Sequence, residues 1–86
     1  MEAELIEKEE VINYHFVKAE ANPELTKDKL ERAVRLGNEY KGKTQITFMT
    51  NEGAKRIETT VWTLTDEFIQ IKGGVSIPLK SLVEIN

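Results

Sequence analysis

The sequence contains no cysteine. Disulfides and thiolate metal sites are therefore excluded. It has one histidine, His15. A single histidine cannot make a zinc site without other ligands, and no Ser, Asp or second base is tied to His15 for general-base work. Apolar runs are short. None approaches the ~18 residues of a membrane helix, and no signal-peptide core follows Met1. No Asn-x-Ser/Thr acceptor occurs. These absences imply a cytoplasmic protein with no membrane partner. Aromatics are sparse, and only Tyr40, Trp62 and Phe68 are candidates for a surface aromatic near the expected sheet. A proline-peptide groove usually needs several together, which argues against that use.

What is present fits one folded domain, residues 1–86. Hydrophobic residues make up 40% of the 86 and charged residues 31%, which suits a folded chain rather than a disordered one. A chain of this size buries only ~60–65% of its unfolded surface, so the core must be thin. The net charge of −3 argues against a dedicated nucleic-acid binder. It is unevenly spread. Residues 1–22 hold six acidic residues against Lys8 and Lys18, while residues 23–86 hold nine acidic and ten basic residues. The pattern is an acidic N-terminal segment on a near-neutral body.

Residues 2–10 are strong helix formers. Residues 11–17 are ambiguous. Ile12, Tyr14 and Phe16 alternate like a strand, yet Leu5, Ile12 and Phe16 could share a helical face; flanking Glu and Ala favour helix. Asn22-Pro23 is a break. A helix over 26–38 follows, with Thr26 as N-cap and Leu25 and Leu30 as a hydrophobic staple. Gly37-Asn38 reads as its stop, although it could run on to Lys41-Gly42.

Residues 43–86 read as five strands. They are 43–50, a turn at Thr50–Gly53, a long strand 55–64, a turn at Thr65–Glu67, and 68–72. The Gly73-Gly74 hairpin, 75–79, a single turn at Lys80-Ser81 and 82–85 complete them. The long strand has a mixed register: Ile57 and Val61 point one way, Trp62 and Leu64 the other. Such a strand is bent and shared between two sheets. Pro78 assigns its strand to an edge. The expected fold is α+β, with one or two N-terminal helices packed on a five-stranded, antiparallel, bent sheet or partial barrel. The expected core is Leu30, Val34, Ile46, Phe48, Ile57, Val61, Ile69, Ile71, Val75, Ile77, Leu79, Val83 and Ile85.

This order of strand, turn, long bent strand, turn, strand, Gly-Gly, strand, single turn and strand resembles SH3-like and Sm-like small barrels. The resemblance covers about half the chain and implies architecture only. The Sm motif residues are absent, so no RNA-binding role carries over. The whole chain is also similar to small conserved bacterial proteins of uncharacterised function, a similarity that implies no activity.

One motif match is literal. Gly37-Asn38-Glu39-Tyr40-Lys41-Gly42-Lys43-Thr44 fits the phosphate-loop pattern. That loop must follow a strand and open a helix, and here the order is reversed. The match reads as a helix stop meeting a strand start. Adjacent carboxylates such as Asp66-Glu67 sit in turns, where nothing drives their pKa values apart.

No cofactor is implied, and the chain is expected not to be an enzyme. The favoured function is protein interaction or assembly, with an unknown protein partner or self-association. The alternative is RNA binding. Lys41, Lys43, Lys55 and Arg56 would cluster on the first hairpin, with Lys27, Arg32 and Arg35 extending the patch. Trp62 is either a packing residue or an exposed anchor beside that patch. The run Glu7, Glu9, Glu10 is either a solvated face or a shield for a basic patch of its own or a neighbouring chain.

Overall fold

In the computed structural model, residues 3–20 and 22–86 are described. Met1, Glu2 and Ala21, all in the acidic N-terminal segment 1–22, lie outside the described residues. Strand β1 (Glu4–Leu5) is followed by a 3-10 turn, Lys8–Asn13. Helix α1 spans Lys27–Tyr40, and strands β2 (Thr44–Thr50), β3 (Gly53–Thr59), β4 (Val61–Leu64), β5 (Phe68–Ile71) and β6 (Ser76–Pro78) follow. A short 3-10 turn, Leu79–Ser81, leads into β7 (Leu82–Ile85). No helix among the described residues is long and apolar enough to cross a membrane.

The strands make two sheets, a four-stranded one in the order β1-β3-β2-β7 and a three-stranded one in the order β4-β5-β6. They do not close into a barrel. The expected long strand divides at Thr60, the only residue between β3 and β4. The inward alternation runs on through Lys55, Ile57, Thr59 and Val61, and the register changes only inside β4, between Val61 and Thr63, so Trp62 is exposed rather than turned inward with Leu64. All pairing is antiparallel except β1 on β3, where Glu4 faces Lys55 and Leu5 faces Arg56.

Helix α1 starts where its cap requires. Thr26 Oγ1 accepts a hydrogen bond from Lys29 N at 3.3 Å. The expected stop at Gly37-Asn38 is not used. Gly37 is buried inside the helix, and a Cβ there would overlap the carbonyl oxygen of Val61. The glycine lets α1 lie directly on the backbone of β4. Lys41, in the left-handed conformation at φ 53°, ends the helix.

The expected second helix is absent. Residues 8–13 form a 3-10 turn, and the chain is then extended. Phe16 bridges Thr50, Val17 N donates to Met49 O at 3.2 Å, and Asn51 N donates to His15 O at 3.0 Å. The Tyr14/Phe16 alternation therefore prevailed over the helix-forming flanks, because Phe16 can pack edge-on against Phe48 at 5.6 Å.

The core joins both sheets, α1 and the N-terminal segment. Leu30, Ile46, Phe48, Ile57, Val61, Ile69, Ile71, Ile77 and Ile85 are buried as expected. Val34, Val75 and Leu79 are only partly buried at its margin. Val83 is replaced by Leu82. The pairing of β2 with β7 shifts register between Thr47 and Phe48, so Phe48 faces Leu82 rather than Val83. Val11 and Ala33 complete the cluster.

Candidate functional site

The five residues expected to form a patch are not brought together. Successive β3 residues point to opposite faces. Lys55 lies on the face shared by Ile57 and is almost buried, whereas Arg56 lies on the other face with its Nε 3.2 Å from Thr47 Oγ1. Lys55 is already neutralised. Its Nζ is 2.6 Å from Glu4 Oε1 and 5.2 Å from the centre of the Tyr14 ring. The hydrogen bond that Lys55 donates to Glu4 raises the Lys55 pKa above its ordinary value, outweighing the opposing effect of burial.

The other members lie elsewhere. Lys55 pairs with Phe48, so Lys43, just before Thr44, is about 17 Å away along the strand. Lys43 lines a groove with Lys8 and Lys72, and Glu7 and Glu58 intersperse them. Lys41 is exposed at the end of α1. Trp62 is 43% exposed on β4, beside Glu31, Val34 and Asn38 of α1. The phosphate-loop match spans the end of α1 and the start of β2, the reverse of what phosphate cradling needs. Its second glycine is explained by packing, since a Cβ at Gly42 would overlap Leu36. His15 is exposed, and no group of three or more His, Asp or Glu able to hold a metal occurs among the described residues.

A site that the sequence reading missed lies between α1 and the β2/β7 edge. It is an open groove of about 430 Å³, lined by Lys29, Arg32, Ala33, Arg35, Leu36, Tyr40, Thr44, Ile85 and Asn86. A thin core rarely encloses a pocket of ~300 Å³ or more; this space is a surface groove between α1 and the sheet. Its wall is apolar: Tyr40 is 74% exposed and Leu36 is also exposed. Helical spacing explains the wall. Lys29, Ala33, Leu36 and Tyr40 recur at i, i+4, i+7 and i+11, a stripe beside the buried Leu30, Ala33 and Gly37.

Its rim is cationic. Lys29, Arg32 and Arg35 line it, no Asp or Glu side chain does, and none of the three cations is in an ion pair among the described residues. Thr44 is buried at the groove, and its Oγ1 has no hydrogen-bond partner. The outer edge of β7 is covered at Val83, whose carbonyl accepts a hydrogen bond from Asn22 Nδ2 at 2.7 Å, and is open only at Ile85. Gln45 and Asn86 exchange both backbone hydrogen bonds, at 3.0 and 2.9 Å. By the antiparallel alternation, the N–H and C=O of Ile85 then point away from β2, to the open side of β7. The signal was present in the sequence as Leu36 and Tyr40 next to Arg32 and Arg35, but it reads as a helix surface until β7 is placed beside it.

No family model, curated protein or solved structure matches the chain.

Proposed function

We propose that this protein is a non-enzymatic interaction module, and that the groove between α1 and β7 docks an acidic protein segment through one apolar side chain. The observation that carries this is the combination of an apolar wall, at Ala33, Leu36, Tyr40 and Ile85, with a cationic rim unopposed by any lining Asp or Glu side chain. An apolar anchor would be desolvated at the wall, and carboxylates beside it would meet Lys29 and Arg32. An extended segment could also hydrogen-bond to the edge of β7 at Ile85. Among the lining residues, no nucleophile is paired with a base. The order β7-β2-β3/β4-β5-β6, with a single turn before β7, is the SH3-like arrangement in this reading, and β1 is an addition at its edge. RNA binding has less support, because Lys55 is held by Glu4 and Arg56 faces away from it.

The test is an amide ¹H–¹⁵N titration with a capped synthetic peptide of Glu and Asp around one Ile. Shifts should gather at Ala33, Leu36, Tyr40, Thr44 and Ile85, diminish with added salt, and weaken in Arg32→Glu. No localised shifts at a peptide concentration of about 1 mM would overturn the reading.

A further inference from the structure

We infer that the occupant of the groove is the acidic N-terminal arm of a second copy of this chain, so that the protein associates head to tail. This rests on the groove reading above.

The arm carries the matching chemistry on its exposed side. Val11 is buried in its own chain, but Ile12 is 73% and Leu5 69% exposed. Around them Glu7, Glu9 and Glu10 are exposed and form no ion pair among the described residues. Of the arm's described carboxylates, only Glu4 is spent on a lysine. Glu10 Oε2 accepts a hydrogen bond from Glu7 N at 3.3 Å, which leaves its charge uncompensated, and exposed branched aliphatics set among such carboxylates are what an apolar wall under a cationic rim complements. Two such features on one small chain favour each other as partners.

The arm cannot fill its own groove while docked. It is held on β3 by β1 and by Ile6 N, which donates to Arg56 O at 2.9 Å. The groove borders β7. In the order β1-β3-β2-β7 these are the two opposite edges of one sheet. Three inter-strand steps separate them by about 14 Å. The contact is therefore between copies, and it is heterologous: each copy offers an arm at one edge and a groove at the other. Such contacts build rings or open chains rather than a two-fold dimer.

Charge reversal tests this. Arg32 and Glu9 are exposed and make no side-chain hydrogen bond among the described residues, so neither reversal should unfold the chain. Sedimentation equilibrium of the wild type should show concentration-dependent association that weakens with salt. Glu9→Lys and Arg32→Glu should each weaken it roughly tenfold or more, and the chain carrying both should recover it. Circular dichroism would confirm that each variant is folded. A wild type that stays monomeric at about 1 mM, or association unchanged by Glu9→Lys, would overturn the inference. The acidic peptide separates the two readings. Peptide binding that Arg32→Glu weakens, with a monomeric wild type, leaves the groove reading standing and removes only the second copy; no peptide binding and no association removes both.

Discussion

The ammonium of Lys55 sits 2.6 Å from Glu4 Oε1, and this pair joins the N-terminal arm to the second strand of the main hairpin. Two residues of β1 add only a short parallel ladder. The pair answers one question left open by the sequence: the arm does shield a basic residue of its own chain, but through Glu4 rather than through Glu7, Glu9 or Glu10.

The pair makes stability depend on alkaline pH. The Lys55 pKa is raised on folding, so protonation favours the folded state. Its contribution is fully present below the ordinary lysine pKa of ~10.4 and is lost as pH rises through the higher folded value. Urea unfolding between neutral pH and strongly alkaline pH should show that loss. In Glu4→Gln the part of the decline due to this pair should disappear; an identical pH profile in the variant would refute the assignment.

The arm's docking should depend on Val11 and not on its neighbour. Val11 is wholly buried, whereas Ile12 is mostly exposed. Val11→Ala is expected to cost about 1–3 kcal/mol in urea unfolding. Ile12→Ala should stay within about 0.5 kcal/mol. A helical arm with Leu5, Ile12 and Phe16 on its buried face would give a large loss at Ile12.

Two positions on α1 should respond in opposite directions to the same kind of reasoning. Gly37→Ala adds a good helix former, worth about 1 kcal/mol in an exposed helix. Here its Cβ meets the Val61 carbonyl, so the variant should instead lose about 1–3 kcal/mol as α1 is pushed off β4. Lys41→Gly should gain about 0.5–1 kcal/mol, because Lys41 holds a left-handed φ of 53° that glycine adopts freely. Both are read from urea midpoints.

A mixed-sequence single-stranded RNA at low salt should not produce one continuous patch of amide shifts across Lys41, Lys43, Lys55, Arg56 and Trp62. These residues lie on different faces and ends of the fold. A coherent set of shifts at all five, reversed by salt, would restore the nucleic-acid reading.

Much of the local structure was legible in the sequence. Thr26 marked the helix start, and Gly53 and the Gly73-Gly74 pair marked hairpin turns, where all three glycines have a positive φ in the structure. Alternation along residues 44–50 and 68–71 gave the inward faces of β2 and β5. The conflict between Ile57/Val61 and Trp62/Leu64 corresponds to the register shift between Val61 and Thr63 in β4, not to the break at Thr60, and it leaves Trp62 exposed. The candidate site was not legible. Arg32 and Arg35 were read as extensions of a hairpin patch, because spacing along a helix cannot say which strand edge will lie beside it.

Local signals account for helix α1 and for the order of the hairpin strands that follow it: periodicity, caps and turn glycines act within a few residues, and they survive without tertiary context. Only the tertiary structure decided three things. The arm became a 3-10 turn and a parallel edge strand, because Val11 and Phe16 found the core and Glu4 found Lys55. The bulge opposite Thr47 exchanged Val83 for Leu82 in the core. Packing Gly37 against Val61 seated α1 on β4, and a groove remains between α1 and β7. Each outcome depends on contacts between residues far apart in the chain, where burial outweighs local propensity.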